Sequence, residues 1–247
     1  EAGGMSQGQR ITTHIADVSK EADVARFRDE VERDQESDRI HLLFNNAGIG
    51  GGGSFLVNGR DEWERTFDIC WGGVYRCTRA FLPMMRRADA GHIVNTSSVN
   101  GFWAFIAPDI PQTAYAAAKF AVKGFTEALI TDLRLNAPHI KCSVVMPGHI
   151  GTSITSNSLK VQTGNQGEEI TAREIELTRK RLAARTPDID KVSDEEIRKM
   201  ILDRARHFLE NAPTTAAQAA TIILDGVRSE RWRILVGRDA ELIDDLV

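Results

Sequence analysis

Tyr115 and Lys119, in the run Tyr115-Ala-Ala-Ala-Lys119, have side chains whose types and spacing suit proton transfer. Positions four apart lie on one face of a helix, so the Lys119 ammonium comes close to the phenol and favours its ionised form. A tyrosine placed this way can give a proton to, or take one from, an alcohol or carbonyl oxygen. Upstream, Gly91-His-Ile-Val-Asn-Thr-Ser-Ser98-Val-Asn-Gly101 ends a strand with hydroxyls at its carboxyl end. Ser98 there can hydrogen-bond a substrate oxygen and steady it for that transfer. Each feature taken singly has a plainer reading: a surface Tyr–Lys pair, and a strand-to-loop turn made with Ser and Gly.

Further candidates stand after other apolar runs. Asn45-Asn46-Ala47-Gly48 follows residues 40–44. Small residues there let the backbone approach a ligand, although a Gly-rich turn is the simpler account. The Gly run at residues 50–53 reads as a mobile loop beyond it. Asp17 follows residues 10–16 and can accept from an adenine amino group, or serve as a helix N-cap. Pro147-Gly148-His149-Ile150-Gly151-Thr152 closes a buried apolar run at residues 140–146.

The elements that must position these residues alternate along the chain. Residues 10–16, 40–44, 92–96, 140–146 and 233–236 read as strands. Residues 21–33, 62–87, 114–135 and 216–227 carry helical periodicity, with Gly72-Gly73 weakening the middle of the second. This order predicts an α/β fold, a doubly wound parallel sheet in one domain spanning residues 1–247. Ligands of such sheets sit beyond the carboxyl ends of the strands, where every candidate above falls. Residues 152–213 break the rhythm as a polar insertion with helical patterns at 171–184 and 193–209. Ser193-Asp-Glu-Glu196 has the form of a capping box. Because the insertion leaves from a strand's carboxyl end, it reads as a substrate lid, with solvated surface decoration as the alternative.

Taken in order, Asp17-Val18, Asn45-Asn46-Ala47-Gly48, Ser98, Tyr115-x-x-x-Lys119 and Pro147-Gly148-His149-Ile150-Gly151-Thr152 resemble the classical short-chain dehydrogenase/reductase family. The resemblance covers roughly residues 10–152 and resumes at residues 216–240. It implies a Rossmann-type oxidoreductase that moves a hydride between NAD or NADP and an alcohol or ketone. Tyr115 would be the acid/base, Lys119 would bind the nicotinamide ribose, and Ser98 would hold the substrate oxygen. Asp17 and Val18 would border the adenine, and Asn46, Ala47 and Gly48 would lie along the cofactor. Pro147, Gly148, Ile150 and Thr152 would frame the nicotinamide. A homo-oligomer, dimer or tetramer, would pair through the helices at residues 62–87 and 114–135.

Three departures from the family pattern stand out. Cys70 occupies the place of an Asn, and a thiol is a poor substitute for an amide in hydrogen bonding. The interval between Ser98 and Tyr115 is longer than usual and holds the aromatic loop of residues 102–111. That loop is expected to line the substrate site rather than face solvent. The opening strand, Gly-rich turn and following helix and strand are not in the sequence. The expectation is therefore that the working polypeptide has a further segment before Glu1, since that unit holds the pyrophosphate and separates NAD from NADP.

Composition sets outer limits. With 42% hydrophobic and 27% charged residues the chain can form a core, and a net charge of −4 offers no broad basic surface for nucleic acid. No apolar run has the length of a membrane span. Cys70, Cys77 and Cys142 have no metal-ligand spacing and read as free thiols of a reducing, cytoplasmic setting. A catalytically silent Rossmann-like binding or regulatory protein remains as the rival reading, favoured by Cys70 and by the absent Gly-rich turn. A structural subunit that uses its long helices for assembly is a further one.

Overall fold

The computed structural model describes residues 9–104, 110–183 and 186–247. Residues 105–109 of the aromatic loop, Ala184 at the end of one expected helix, and the residues before 9 lie outside that description. The strands are β1 (Leu42–Asn45), β2 (Gly91–Thr96), β3 (Ile140–Pro147), β4 (Ile150–Gly151), β5 (Thr214–Thr215) and β6 (Arg233–Val236). The helices are α1 (Glu21–Gln35), α2 (Arg60–Phe67), α3 (Gly73–Arg87), α4 (Thr113–Asn136), α5 (Ile154–Thr163), α6 (Ala172–Ala183), α7 (Asp194–Glu210), α8 (Ala216–Arg228) and α9 (Arg238–Asp244).

The main sheet runs β1-β2-β3-β6 with every pair parallel, in a register that sets Leu43 beside Ile93 and Ile93 beside Cys142. Successive strand residues point to opposite faces, and the two faces carry separate apolar clusters. Ile93, Ile140 and Cys142 pack with Met85 of α3 and with Leu129 and Leu133 of α4. Val94, Val145, Ile234 and Val236 pack instead with Ala219 of α8. Helices therefore cover both faces of a parallel sheet, which is the doubly wound α/β architecture the alternation predicts.

The structure corrects two expected elements. Residues 10–16 are extended but pair with no strand among the described residues, and Ile15 is almost fully exposed. Side chains hold this segment against α1: Arg26 donates to the Ile15 carbonyl at 3.0 Å, and Arg10 donates to the Asp34 carbonyl at 2.6 Å. Alternation makes a ladder only where an edge lies alongside, and β1 pairs only with β2, leaving Leu42 and Phe44 substantially exposed. The second correction concerns residues 62–87, which are not one helix. A π-turn at Asp68–Gly72 separates α2 from α3. It swings Cys70 inward, and Gly73 leaves the room that Val18 fills, since a Cβ there would meet Val18 Cγ2 at 2.8 Å.

The insertion is largely helical. Its two expected helices form as α6 and α7, and Ser193 and Glu196 make the complete capping box. Helix α5 was not expected, because Ile154-Thr-Ser-Asn-Ser is rich in β-branched and short polar residues of low helix propensity. The loop after β1 is pinned rather than free. The Gly52 and Gly53 carbonyls accept from the Ala114 and Thr113 amides at 3.1 and 3.0 Å, satisfying first-turn donors of α4 that no N-cap side chain reaches. Gly51 and Gly52 have φ of 148° and 56°, which favours glycine at both positions.

One buried histidine gives the sheet a pH dependence. Ser143 Oγ donates to the Arg231 carbonyl at 2.6 Å, so it accepts from His92 Nε2–H at 2.7 Å. Burial holds the imidazole below its ordinary value; the Glu230 charge opposes this and the Lys141 charge assists it. The unfolded chain then binds more protons than the folded one as pH falls below about 6.5. The stability from neutral His92 is complete above that pH and is lost as pH falls through the depressed folded value. Thermal melts between pH 7.5 and 5 are expected to show a smaller fall in Tm for His92→Gln than for the unaltered chain.

Candidate active site

The carboxyl ends of β1, β2 and β3 lie along one edge of the sheet, and the candidate residues collect there. Lys119 is 96% withdrawn from solvent, and its Nζ donates to the Thr96 carbonyl at the end of β2 at 2.9 Å. The ammonium also stands 5.5 Å from the centre of the Tyr115 ring, one turn back on α4. A Cβ built on Gly48 would lie 3.5 Å from that nitrogen and 3.7 Å from Cys70 Sγ. The expected Tyr–Lys pair therefore exists as a pair, and its charge sits where the ends of β1 and β2 meet α4.

Ser98 caps a short 3₁₀ turn, Val99–Gly101, with its Oγ accepting from the Asn100 amide at 3.2 Å. That bond uses a lone pair and leaves the hydroxyl proton to donate. The adjacent Ser97 is committed to the fold, donating to the Lys119 carbonyl at 2.7 Å. A Cβ on Gly101 would meet that same carbonyl at 2.8 Å, so glycine there allows α4 to approach the end of β2. In the stretch between Ser98 and Tyr115, Phe102 and Trp103 are half-buried and Ile110 is exposed. Residues 105–109, which include the expected lining residues Phe105 and Ile106, lie outside the description.

The Asn45–Gly48 run divides its work. Asn45 is buried and donates to Thr78 Oγ1 at 3.0 Å and to Asn95 Oδ1 at 2.8 Å, and Asn95 in turn donates to Thr126 Oγ1 at 3.0 Å. Asn46 and Ala47 face outward, with Asn46 Oδ1 accepting from Thr96 Oγ1 at 3.0 Å. Cys70 reaches the next residue: its Sγ lies 3.4 Å from the Ile49 amide and 3.2 Å from the Ile49 carbonyl. The thiol thus stands in for a bidentate polar group, over longer contacts.

Asp17 is a turn residue in this structure. Its Oδ1 accepts from the Ser19 amide at 3.0 Å and the Ser19 hydroxyl at 2.6 Å, leading the chain into α1. Burial pushes its carboxyl up, but the Ser19 bonds and the Lys20 charge outweigh this and leave it below the usual value. Val18 packs with Ile49, Ile69 and Cys70 beneath Tyr115. Pro147 ends β3, Gly148 donates to the Val236 carbonyl at 3.0 Å, and Ile150 pairs with Thr214 in the small β4–β5 ladder. Thr152 is half-buried just beyond.

Some contributors gave no sequence signal. The Thr96 carbonyl that holds Lys119 is backbone, and any residue type could supply it. Asp239, on α9, accepts from the His149 amide at 2.6 Å although nearly ninety residues separate the two. Glu62 joins the loop after β1 to the insertion, accepting from the Gly52 amide at 2.9 Å and from Arg181 of α6 at 2.6 Å. Ser158 and Gln162 of α5 add bonds to the Gly50 amide at 2.8 Å and to Thr66 at 2.9 Å. Among the described residues no cluster of side chains suits a metal ion, and no helix is long and apolar enough to cross a membrane.

Comparison with known proteins shows the family. The family model for short chain dehydrogenase matches residues 2–163. A Mycobacterium tuberculosis relative, SadH, is 32% identical over 208 residues, covering 84% of this chain and 61% of that protein. The 3-ketodihydrosphingosine reductase of Bacteroides thetaiotaomicron is 34% identical over 161 residues, or 65% of this chain and 56% of that one. The chain thus spans about 60% of the length of the curated relatives it matches. Among solved structures, a short chain dehydrogenase/reductase from Burkholderia phymatum in complex with NAD aligns with a TM-score of 0.66 and 30% identity, over 89% of this chain and 68% of that chain. A short-chain dehydrogenase from Streptomyces avermitilis shares the fold, with a TM-score of 0.60 and 24% identity over 92% of this chain and 70% of that one. With the family model covering more than half its residues, the chain belongs to the short-chain dehydrogenase family.

Proposed function

We propose that this chain acts as a nicotinamide-dependent oxidoreductase, moving a hydride between NAD or NADP and an alcohol or ketone. The observation that supports it best is the buried Lys119 ammonium, bonded to the Thr96 carbonyl and facing the Tyr115 ring. A buried charge is costly even when hydrogen-bonded, and groups held at such a cost cluster at functional sites. The name of the Bacteroides reductase and the NAD in the Burkholderia structure support the reaction class and the cofactor class.

The residues present fit the nicotinamide-ribose end of such a cofactor. Gly48 presents bare backbone beside Lys119 and Cys70, where a Cβ would stand in ordinary van der Waals contact with the ammonium at 3.5 Å. Lys119 and Tyr115 would hold the ribose there, Asn46, Ala47 and Gly48 would follow the dinucleotide, and Pro147, Gly148, Ile150 and Thr152 would frame the ring. Asp17 and Val18 would stand toward the adenine. Bound NAD or NADP supplies the hydride or accepts it. The protein does the remainder: Ser98 donates to the substrate oxygen, and Tyr115 passes its phenol proton to that oxygen during reduction or takes it back during oxidation. Lys119 offsets the negative charge left on the phenolate. Cys70 favours a second reading, a Rossmann-like binding protein without turnover, because the thiol replaces the family's amide.

In this reading residues 152–213 form a lid. Its α5 and α6 meet the loop after β1 through Ser158, Gln162 and Arg181, contacts that opening would exchange for water. The exposed Tyr75 of α3 and Phe120 of α4 support a homo-oligomer built on those helices. Hydrogen exchange addresses both: α5–α7 are expected to slow when NADH or NADPH is added, and the outer turns of α3 and α4 to be slow at micromolar concentration. Equal rates in α5–α7 with and without dinucleotide would remove the lid.

Tyr115→Phe is expected to lower kcat by about 10²–10⁴-fold while dinucleotide affinity stays within about twofold, since only the phenol proton is lost. Lys119→Met should lower kcat and weaken dinucleotide binding together. Absorbance of the reduced nicotinamide over a panel of alcohols and ketones measures the first, and calorimetric titration with NADH and NADPH the second. Near-normal turnover in Tyr115→Phe rejects the mechanism, and no turnover with any panel member beside intact dinucleotide binding favours the silent reading. Cys70→Asn should leave the fold intact and keep or raise turnover. A large loss of kcat at constant Tm would give the thiol its own role.

A further inference from the structure

The Pro147–Thr152 loop is held from beneath by a carboxylate that the sequence pattern does not single out. Asp239 accepts from the His149 amide at 2.6 Å. Its other oxygen, Oδ1, is buried with no hydrogen-bond partner. The carboxylate is wedged between two glycines. A Cβ on Gly148 would overlap it outright, and a Cβ on Gly237 would meet Oδ1 at 2.6 Å and Thr214 Oγ1 at 2.7 Å. Gly237 also has φ of 100°, a conformation side-chain-bearing residues rarely adopt. Both glycines thus make room for one acid.

An acid in that position is expensive if its only task is to fill space. A buried carboxylate oxygen without a donor is unfavourable, and an apolar group of the same size would avoid the cost. What an apolar group could not do is hold the His149 N–H. The opposite side of the same residue is held as well: the His149 ring lies 4.2 Å from the Phe208 ring, and Nε2–H donates to the Phe208 carbonyl at 2.8 Å. The loop is therefore fixed through its peptide by the end of the core and through its ring by α7.

We propose that Asp239 is the positioning residue of this loop, setting the Gly148–His149 peptide so that the loop presents its face to the nicotinamide. This rests on the loop's assignment under the proposed function. Asp239 touches neither substrate nor cofactor in this scheme and acts through the His149 amide alone. Charge-assisted bonds of this kind are about twice as strong as neutral ones, so loss of one is expected to be visible in both loop exchange and cofactor use.

The test uses the whole chain and the variants Asp239→Ala, Asp239→Asn and Gly148→Ala. In Asp239→Ala the His149 amide is expected to exchange about tenfold faster, and the KM for NADH or NADPH to rise on the order of tenfold. Asp239→Asn keeps an acceptor for that amide and should restore both to within about twofold. Gly148→Ala should be far more damaging in the unaltered background than beside Asp239→Ala, where the overlap is gone, so the two changes are not additive. If Asp239→Ala proves too unstable to measure, the Asn variant decides: loss of His149 protection there, at unchanged Tm, overturns the proposal. An unchanged His149 exchange rate and KM in Asp239→Ala, with normal dinucleotide binding by the unaltered chain, overturns this role and leaves the proposed function standing. Failure of the unaltered chain to bind NADH or NADPH overturns both.

Discussion

A lysine ammonium taken almost wholly out of water has to be compensated at close range, and the site is arranged around doing this for Lys119. Its charge is met by the Thr96 carbonyl, a group whose position is set by the β2–β3 ladder and not by any side chain. For the four-carbon stem to reach that carbonyl, α4 must lie against the end of β2. Gly101 makes that approach possible, because a Cβ there would strike the Lys119 carbonyl at 2.8 Å. Ser97 then ties the same carbonyl down. The placement of Tyr115 follows from that of Lys119, because one helical turn joins them.

The same edge shows how a short motif can serve two purposes. Asn45 is the last residue of β1 and is buried, whereas Asn46 just beyond the strand is exposed. Asn45 enters a buried polar chain with Asn95, Thr78 and Thr126, which links β1, β2, α3 and α4 through hydrogen bonds. Every amide hydrogen-bonded there lies in low dielectric, where a satisfied network rigidifies and a broken one is costly. Asn46 is left outward beside Thr96 and Gly48. The rigidity of the inner half fixes where the outer half can meet a ligand.

How much of this could be read from residue order depends on the range of the forces involved. Helix α4, strands β2 and β3, and the capping box of α7 follow from periodicity and local chemistry, and they form as expected. The Tyr115–Lys119 pair was visible because one turn of helix is a local fact. The extended segment at residues 10–16 was misread as a paired strand because pairing needs a neighbour that residue order cannot supply. At the π-turn, residue order showed only the weakening at Gly72-Gly73, and the packing of Val18 onto Gly73 is a contact across more than fifty residues. Asp239 was hidden for the same reason. Its partners are glycines and a peptide amide, groups without a signature. In each miss the deciding contact is tertiary.

The insertion carries one more consequence. Ile175, Ile189 and Ile197 form a cluster with Leu182, Val192 and Ile201 that shares no residue with the clusters on either face of the sheet. Helices α6 and α7 thus pack on a core of their own, and they meet the rest of the chain through Arg181–Glu62, through His149–Phe208 and where Leu209 lies against Gly151. A substitution inside that cluster therefore loosens α6 and α7 first, without entering either apolar cluster of the sheet.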